Sequence, residues 1–146
     1  MRYISAFIVT ILLICLKSRY AHAEPQLEIL LSGHKIAVNE TTTLTIQAEW
    51  PEAEGQYAFA LPDLKLFQLS IDHQGESQET FIRNDQKWIR KTFSFYLKAL
   101  REGKGEIETF VISYIDPNTQ QGGHFTVSEQ IITIRSANLK LSFYLK

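Results

Sequence analysis

The sequence predicts an all-β fold, two antiparallel sheets stacked as a sandwich, and three observations predict it. Apolar and polar residues alternate with period two through most of the chain after residue 24. Clusters of Gly, Pro, Asn and Asp interrupt that alternation again and again, as turns between short strands do. No stretch beyond residue 24 carries the apolar repeat of an amphipathic helix.

Taken in order, Leu27-Glu28-Ile29-Leu30-Leu31 opens as a strand that Ser32-Gly33-His34 breaks. Thr41 to Trp50 alternates cleanly, with Leu44, Ile46, Ala48 and Trp50 on one side and Thr41, Thr43, Thr45 and Gln47 on the other. The branched Cβ of threonine suits such a pleated, half-buried surface. Pro51 ends this strand, and Glu52 to Gly55 form an acidic loop. After Leu61-Pro62-Asp63, the stretch Lys65 to Asp72 alternates with Phe67, Leu69 and Ile71 on one side. Gln74-Gly75-Glu76-Ser77 reads as a turn, Thr80 to Arg83 as a short return strand, and Asn84-Asp85-Gln86 as another turn. Trp88 to Leu97 is a long strand whose apolar side holds Ile89, Phe93, Phe95 and Leu97; Lys91 interrupts it, which points to a position near an edge.

Arg101 to Gly105 gives the next reversal, with its glycines supplying positive φ. Glu106 to Ile115 then runs as one strand with both faces partly apolar: Ile107, Val111 and Ile115 against Phe110, Ile112 and Tyr114. Asp116-Pro117-Asn118 stops it, Gln120 to Gly123 is a loop, and Phe125 to Arg135 closes the series. About seven to eight short strands in this arrangement predict a single immunoglobulin-like antiparallel β-sandwich over residues 24–135. Residues 136–146 form a C-terminal tail or an extra edge strand, since Leu139 to Lys146 again alternates. Ser94-Phe95-Tyr96-Leu97-Lys98 recurs there as Ser142 to Lys146 without matching flanks, which reads as similar alternation rather than a structural repeat.

Residues 1–23 have the parts of a secretory signal: Arg2, an apolar run from Ile4 to Leu16, and Ala21-His22-Ala23 before a cut at Glu24. The run falls short of the roughly 20 residues of a spanning helix. Lys17 and Arg19 sit between that run and the cut, so an uncleaved anchor is the alternative and the one route to a membrane. Cys15 follows Ile14 and reads as one more apolar residue of the run rather than a lipid-attachment site. Cleavage at Glu24 removes that lone cysteine, and with it disulfides and thiolate chemistry. It leaves 12 basic and 16 acidic residues, a net charge of −4, without the basic excess that a nucleic-acid partner requires. The expected location is periplasmic or secreted.

No catalytic, cofactor-binding or metal-ligating set emerges. His34, His73 and His124 lie in or beside turns with none of the spacings that present two metal ligands from one element. Ser70, Asp72 and His73 cluster in sequence, but alternation puts His73 opposite the other two, and no Gly-x-Ser-x-Gly elbow is present. Glu52/Glu54 and Glu106/Glu108 each have the spacing of one loop or one strand face, the pattern of a polar surface rather than of a glycosidase pair. Gly103-Lys104-Gly105 lacks the helix that makes a phosphate cradle. Asn39-Glu40-Thr41 matches a glycosylation acceptor that matters only in a eukaryotic secretory route. The aromatic residues Trp50, Tyr57 and Phe59, with Tyr96 and Tyr114 facing outward, suggest a rim that anchors a partner protein or a sugar. For Trp50 and Trp88, packing in the core or at the rim is the favoured reading, since tryptophan is usually largely buried.

The order of landmarks carries a resemblance. Lys35 to Glu40 leads into Thr41-Thr42-Thr43-Leu44-Thr45-Ile46; Leu61-Pro62-Asp63-Leu64 and Phe67 follow; then Phe93 to Ala99, Gly103 to Ile107, Ser113-Tyr114-Ile115-Asp116 and the strand Phe125 to Ile134. Over residues 26 to 135 this resembles the N-terminal immunoglobulin-like region of the BatD oxygen-tolerance family of exported bacterial proteins. The family has no established catalytic residues to carry over. The resemblance implies an extracytoplasmic sandwich that works by contacting other envelope proteins. A small-ligand or carbohydrate-binding domain on the same strands is the alternative.

Overall fold

The computed structural model describes residues 24–137; the predicted signal segment with its cleavage site and Cys15, and the tail from residue 138 onward, lie outside the described residues. Within them the chain forms β1 (Gln26–Leu31), β2 (Lys35–Ala37), β3 (Thr41–Pro51), β4 (Ala58–Phe59), β5 (Leu66–Phe67) and β6 (Leu69–Arg83). It continues as β7 (Gln86–Ala99), β8 (Gly103–Ile107), β9 (Phe110–Ile115), β10 (Gly122–Val127) and β11 (Gln130–Arg135). One sheet has the order β1-β3-β7-β6, antiparallel throughout. The facing layer comes in two parts, β2-β11-β8-β5 and β10-β9-β4. With β8 and β9 as successive lengths of one path, and β10 and β11 as another, this is the strand order of an immunoglobulin constant-type sandwich.

Alternation builds the core as the sequence predicts. Leu44 and Ile46 of β3 and Phe93, Phe95 and Leu97 of β7 point inward, onto Ile107, Ile112, Ile132 and Ile134 of the facing layer, while Ala48, Trp50 and Ile89 form a second cluster with Tyr57 and Tyr114. Among the described residues, every sheet strand and every buried core side chain falls between Gln26 and Arg135.

The first strand serves both layers. β1 pairs with β3, and β2 pairs in parallel with β11 on the other side. The crossing at Ser32–His34 is clamped by Thr42, a buried hydroxyl that accepts from the Gly33 amide at 3.1 Å and donates to the Gly33 carbonyl at 2.9 Å. Asn39, at φ 70, reverses the chain into β3, and the Glu40 carboxylate accepts from the Ala37 amide at 2.7 Å.

Several sequence expectations are corrected. The seven or eight expected strands are divided into eleven segments among the described residues, because long strands break where they leave one partner for another. The predicted turn at Gln74–Ser77 is instead the middle of β6, which runs unbroken to Arg83 with a one-residue bulge at Asp72. Its polar composition reflects an edge strand wetted on both faces. The two-residue turn Asn84-Asp85 that follows has both φ values positive, as a tight hairpin requires. Phe67, Leu69 and Ile71 do not share a side: Gln68 at φ 60 breaks the strand, leaving Phe67 exposed on β5 and Leu69 buried on β6.

Lys91 does not mark an edge. β7 is paired on both sides, and the Lys91 ammonium lies 5.4 Å over the Phe93 ring and 3.4 Å from Glu76. The run Glu106 to Ile115 is two strands, β8 and β9, and Phe125 to Arg135 likewise spans β10 and β11. The acidic loop after Pro51 is a single 3-10 turn, Glu52–Glu54. Of the two glycines after Arg101, Gly103 has the positive φ (123) expected of a reversal. Gly105 serves close packing instead: a Cβ there would lie 2.9 Å from Ile134 Cδ1.

Candidate binding face

The three aromatics singled out in the sequence do meet, but inside. Trp50 ends the apolar face of β3 with its indole N–H donating to the Gly55 carbonyl at 2.9 Å. Its ring contacts Tyr57 edge-on at 5.5 Å and stacks on Phe59 at 5.6 Å. Tyr114 of β9 packs on Tyr57 at 5.8 Å and Phe59 at 5.4 Å, and Phe125 of β10 on Tyr114 at 5.4 Å. Trp50 is 0% exposed, Tyr57 5% and Tyr114 9%. The expectation of rim anchors is therefore corrected for Trp50 and Tyr57, and Tyr114 points inward rather than out. Period two explains the last point: Phe110, Ile112 and Tyr114 take the inner face of β9, which leaves Val111, Ser113 and Ile115 outside. Tyr96 does lie on the surface, against the His73 ring at 5.2 Å. Trp88 is half-buried under the Arg83 guanidinium.

This aromatic layer is the floor of a surface feature that composition did not single out. On the outer side of the β10-β9-β4 sheet, Ala58 pairs with Ile115, and Ile115 with Gly122; Ser113 pairs with His124. Small residues on the flanking strands and exposed Val111 and Ile115 between them make an open apolar groove of about 720 Å³. The floor is tight. A Cβ on Gly123 would fall 2.3 Å from Tyr114 Cζ and 2.5 Å from its hydroxyl, so the tyrosine ring lies directly across the glycine. The two-sided apolar character of residues 106–115 was the signal for this face, and Val111 and Ile115 are the residues that carried it.

A smaller polar notch of about 270 Å³ adjoins the groove, sharing Tyr114, Gly122 and Gly123 with it and adding Glu24, Asp116 and Thr119. Its acidity is felt by the tyrosines. Burial, then Asp116 and Glu54, push the Tyr57 hydroxyl above its ordinary value; burial, then Glu24 and Asp116, do the same to Tyr114.

The opposite face of the molecule carries a different cluster. Glu49 of β3 accepts from Arg90 at 2.7 Å and Arg83 at 2.5 Å, and Arg90 also reaches Glu79 at 2.9 Å. Burial opposes ionisation of Glu49, but the two guanidinium hydrogen bonds and their charges outweigh it and hold the carboxyl below its ordinary range. The same two guanidinium groups lie over the Phe81 ring at 5.1 and 4.5 Å. Both cations are thus engaged by carboxylates and rings of the fold itself.

The other residues weighed in the sequence stay apart. His34 sits near the Ile131 carbonyl, His73 on Tyr96, and His124 on the groove wall. Glu106 pairs with Lys104 at 3.3 Å. Among the described residues no group of three or more His, Cys, Asp or Glu side chains converges as metal ligands would. No protein-family model matches the chain, and no curated protein matches it.

Proposed function

We propose that this chain is an exported, non-catalytic interaction module of the bacterial envelope that binds a partner protein on the outer face of its β10-β9-β4 sheet. The observation that carries the reading is that face itself: exposed Val111 and Ile115, with Ala58, Ala60 and Gly122 beside them, form an apolar groove where a sheet's solvent face is usually polar. The signal-like segment and the resemblance to the BatD oxygen-tolerance family support the compartment. An open groove suits the side chains of another protein, whereas a small molecule bound there would stay half in water. A small apolar ligand is the second reading, favoured by a volume of about 720 Å³.

The test compares the wild-type chain with Ile115→Lys and Val111→Lys in crosslinking pull-downs from envelope fractions, with intact mass read on the recovered chain. Both positions are exposed, so the variants keep the wild-type melting temperature. Specific partners captured by wild type and lost in both variants, on a chain whose mass begins at Glu24, are the expected result. Equal capture by all three would refute the face. Loss of a bound lipid or other small molecule, with no protein recovered, would shift the assignment to the second reading.

A further inference from the structure

We infer that the groove receives residues 139–146 of a second copy of this chain; the inference rests on the reading of this face as a docking surface and names its occupant. Three observations lead to it. The first is pattern. Leu139, Leu141, Phe143 and Leu145 alternate with Lys140, Ser142, Tyr144 and Lys146, so an extended segment presents one continuous apolar side. That side is what an apolar, open groove needs, and short side chains at Ala58, Ala60 and Gly122 leave room for it.

The second is charge. From Ser136 to Lys146 the sequence holds two lysines and no acidic residue. The notch at the end of the groove is acidic through Glu24 and Asp116. The segment is therefore opposite in charge to the notch beside the groove, which steers it there in preference to a neutral or acidic segment.

The third is reach. β11 runs antiparallel to β8, with Ile134 opposite Gly103, so the chain leaves Arg135 at the end of the sandwich remote from Ile115 and heading away from it. Asp116 is thirteen residues from Gly103 along β8 and β9, a span of about 43 Å at strand rise. Lys146 is eleven residues past Arg135, and a reversal takes at least about two of them, leaving about 30 Å of extended chain up to that residue. The segment therefore reaches no farther than the Val111 end of its own groove and falls short of Ile115 and of the notch. A neighbouring molecule carries no such restriction, and the contact is heterologous, tail of one copy to groove of the next, so it propagates or closes as a ring.

The test uses a labelled peptide of residues 138–146 and the chain 24–137, which contains every strand and core residue described, alongside the chain 24–146. Expected is saturable binding of the peptide to 24–137, weakened at least tenfold by Ile115→Lys and by raised salt. A scrambled peptide should bind at least tenfold more weakly. Sedimentation should show concentration-dependent association of 24–146 that is lost both in 24–137 and in 24–146 carrying Ile115→Lys. The inference is overturned if the peptide does not bind, if the scrambled peptide binds equally well, or if 24–146 stays monomeric where 24–137 does. If Ile115→Lys loses an envelope partner while the peptide fails to bind, the docking face stands and self-docking falls. If the peptide binds while envelope capture is indifferent to Ile115→Lys, self-docking stands and the envelope partner is removed from this face.

Discussion

Replacing Gly123 by alanine puts the packing beneath the groove to a quantitative test. The backbone at Gly123 is not in the left-handed region, so alanine fits the chain conformation, and any cost must come from space. The new methyl would lie 2.3 Å from Tyr114 Cζ, 2.5 Å from the hydroxyl and 2.7 Å from Cε2. Those atoms belong to the far end of a side chain, which would ordinarily swing aside. Here the ring is held by Tyr57, Phe59 and Phe125, with centroids 5.4 to 5.8 Å away. Overpacking of this kind costs about 1–3 kcal/mol, and we expect about 2. Removing the end of the ring removes the conflict. In a Tyr114→Leu background, Gly123→Ala should be stabilising by about 0.5–1 kcal/mol, the usual gain from replacing a strand-interior glycine. Urea unfolding of the four chains, each from Glu24, gives both values, with the single Gly123→Ala change lowering the midpoint by about 1 M at constant slope. The reasoning is refuted if Gly123→Ala has the same effect in both backgrounds, because the cost would then not come from Tyr114.

Two further predictions concern the opposite sheet. Thr42→Val keeps the shape of a buried side chain but leaves the amide and carbonyl of Gly33 without their 3.1 and 2.9 Å partners. It should cost about 1–3 kcal/mol in urea unfolding, Thr42→Ser should recover most of this, and unchanged stability in the valine variant would show that the strand crossing needs no clamp. Glu49 has a lowered folded-state pKa, so it contributes stability above its ordinary value of 4.5 that is lost as pH falls through the lower folded value. Glu49→Gln should therefore destabilise by on the order of 1 kcal/mol at neutral pH, a figure reduced by the exposure of Arg83. Melting curves of the two proteins should draw together as the pH falls from 4.5 through the lower folded value; a gap that stays constant on acidification until the fold is lost would mean that packing, not charge, is what Glu49 supplies.

How far the site was legible follows from which residues formed it. Trp50, Tyr57 and Phe59 were recognisable as a group, and they do pack together; alternation placed Trp50 on the inner face of β3, but the burial of Tyr57 was not readable from the chain. Whether an aromatic residue near a loop faces water depends on what the opposite layer places over it, and here Tyr114 and Phe125 arrive from strands more than fifty positions away. Val111 and Ile115 were visible as apolar residues on both faces of one run, yet nothing local distinguished an exposed apolar face from a strand buried on both sides.

The sequence by itself determined the all-β class, the inward faces of β3 and β7, and the hairpin at Asn84-Asp85. These are properties of period-two alternation and of residues with special backbone preferences, both local in the chain. Tertiary structure alone decided that residues 74–77 continue a strand, that residues 106–115 and 125–135 each divide between two parts of one layer, and that Lys91 lies in a central strand. Each of these depends on which partner strand supplies the hydrogen bonds. A polar stretch extends rather than turns when a long neighbour such as β7 offers it a ladder, and that neighbour's reach is not written in the stretch itself.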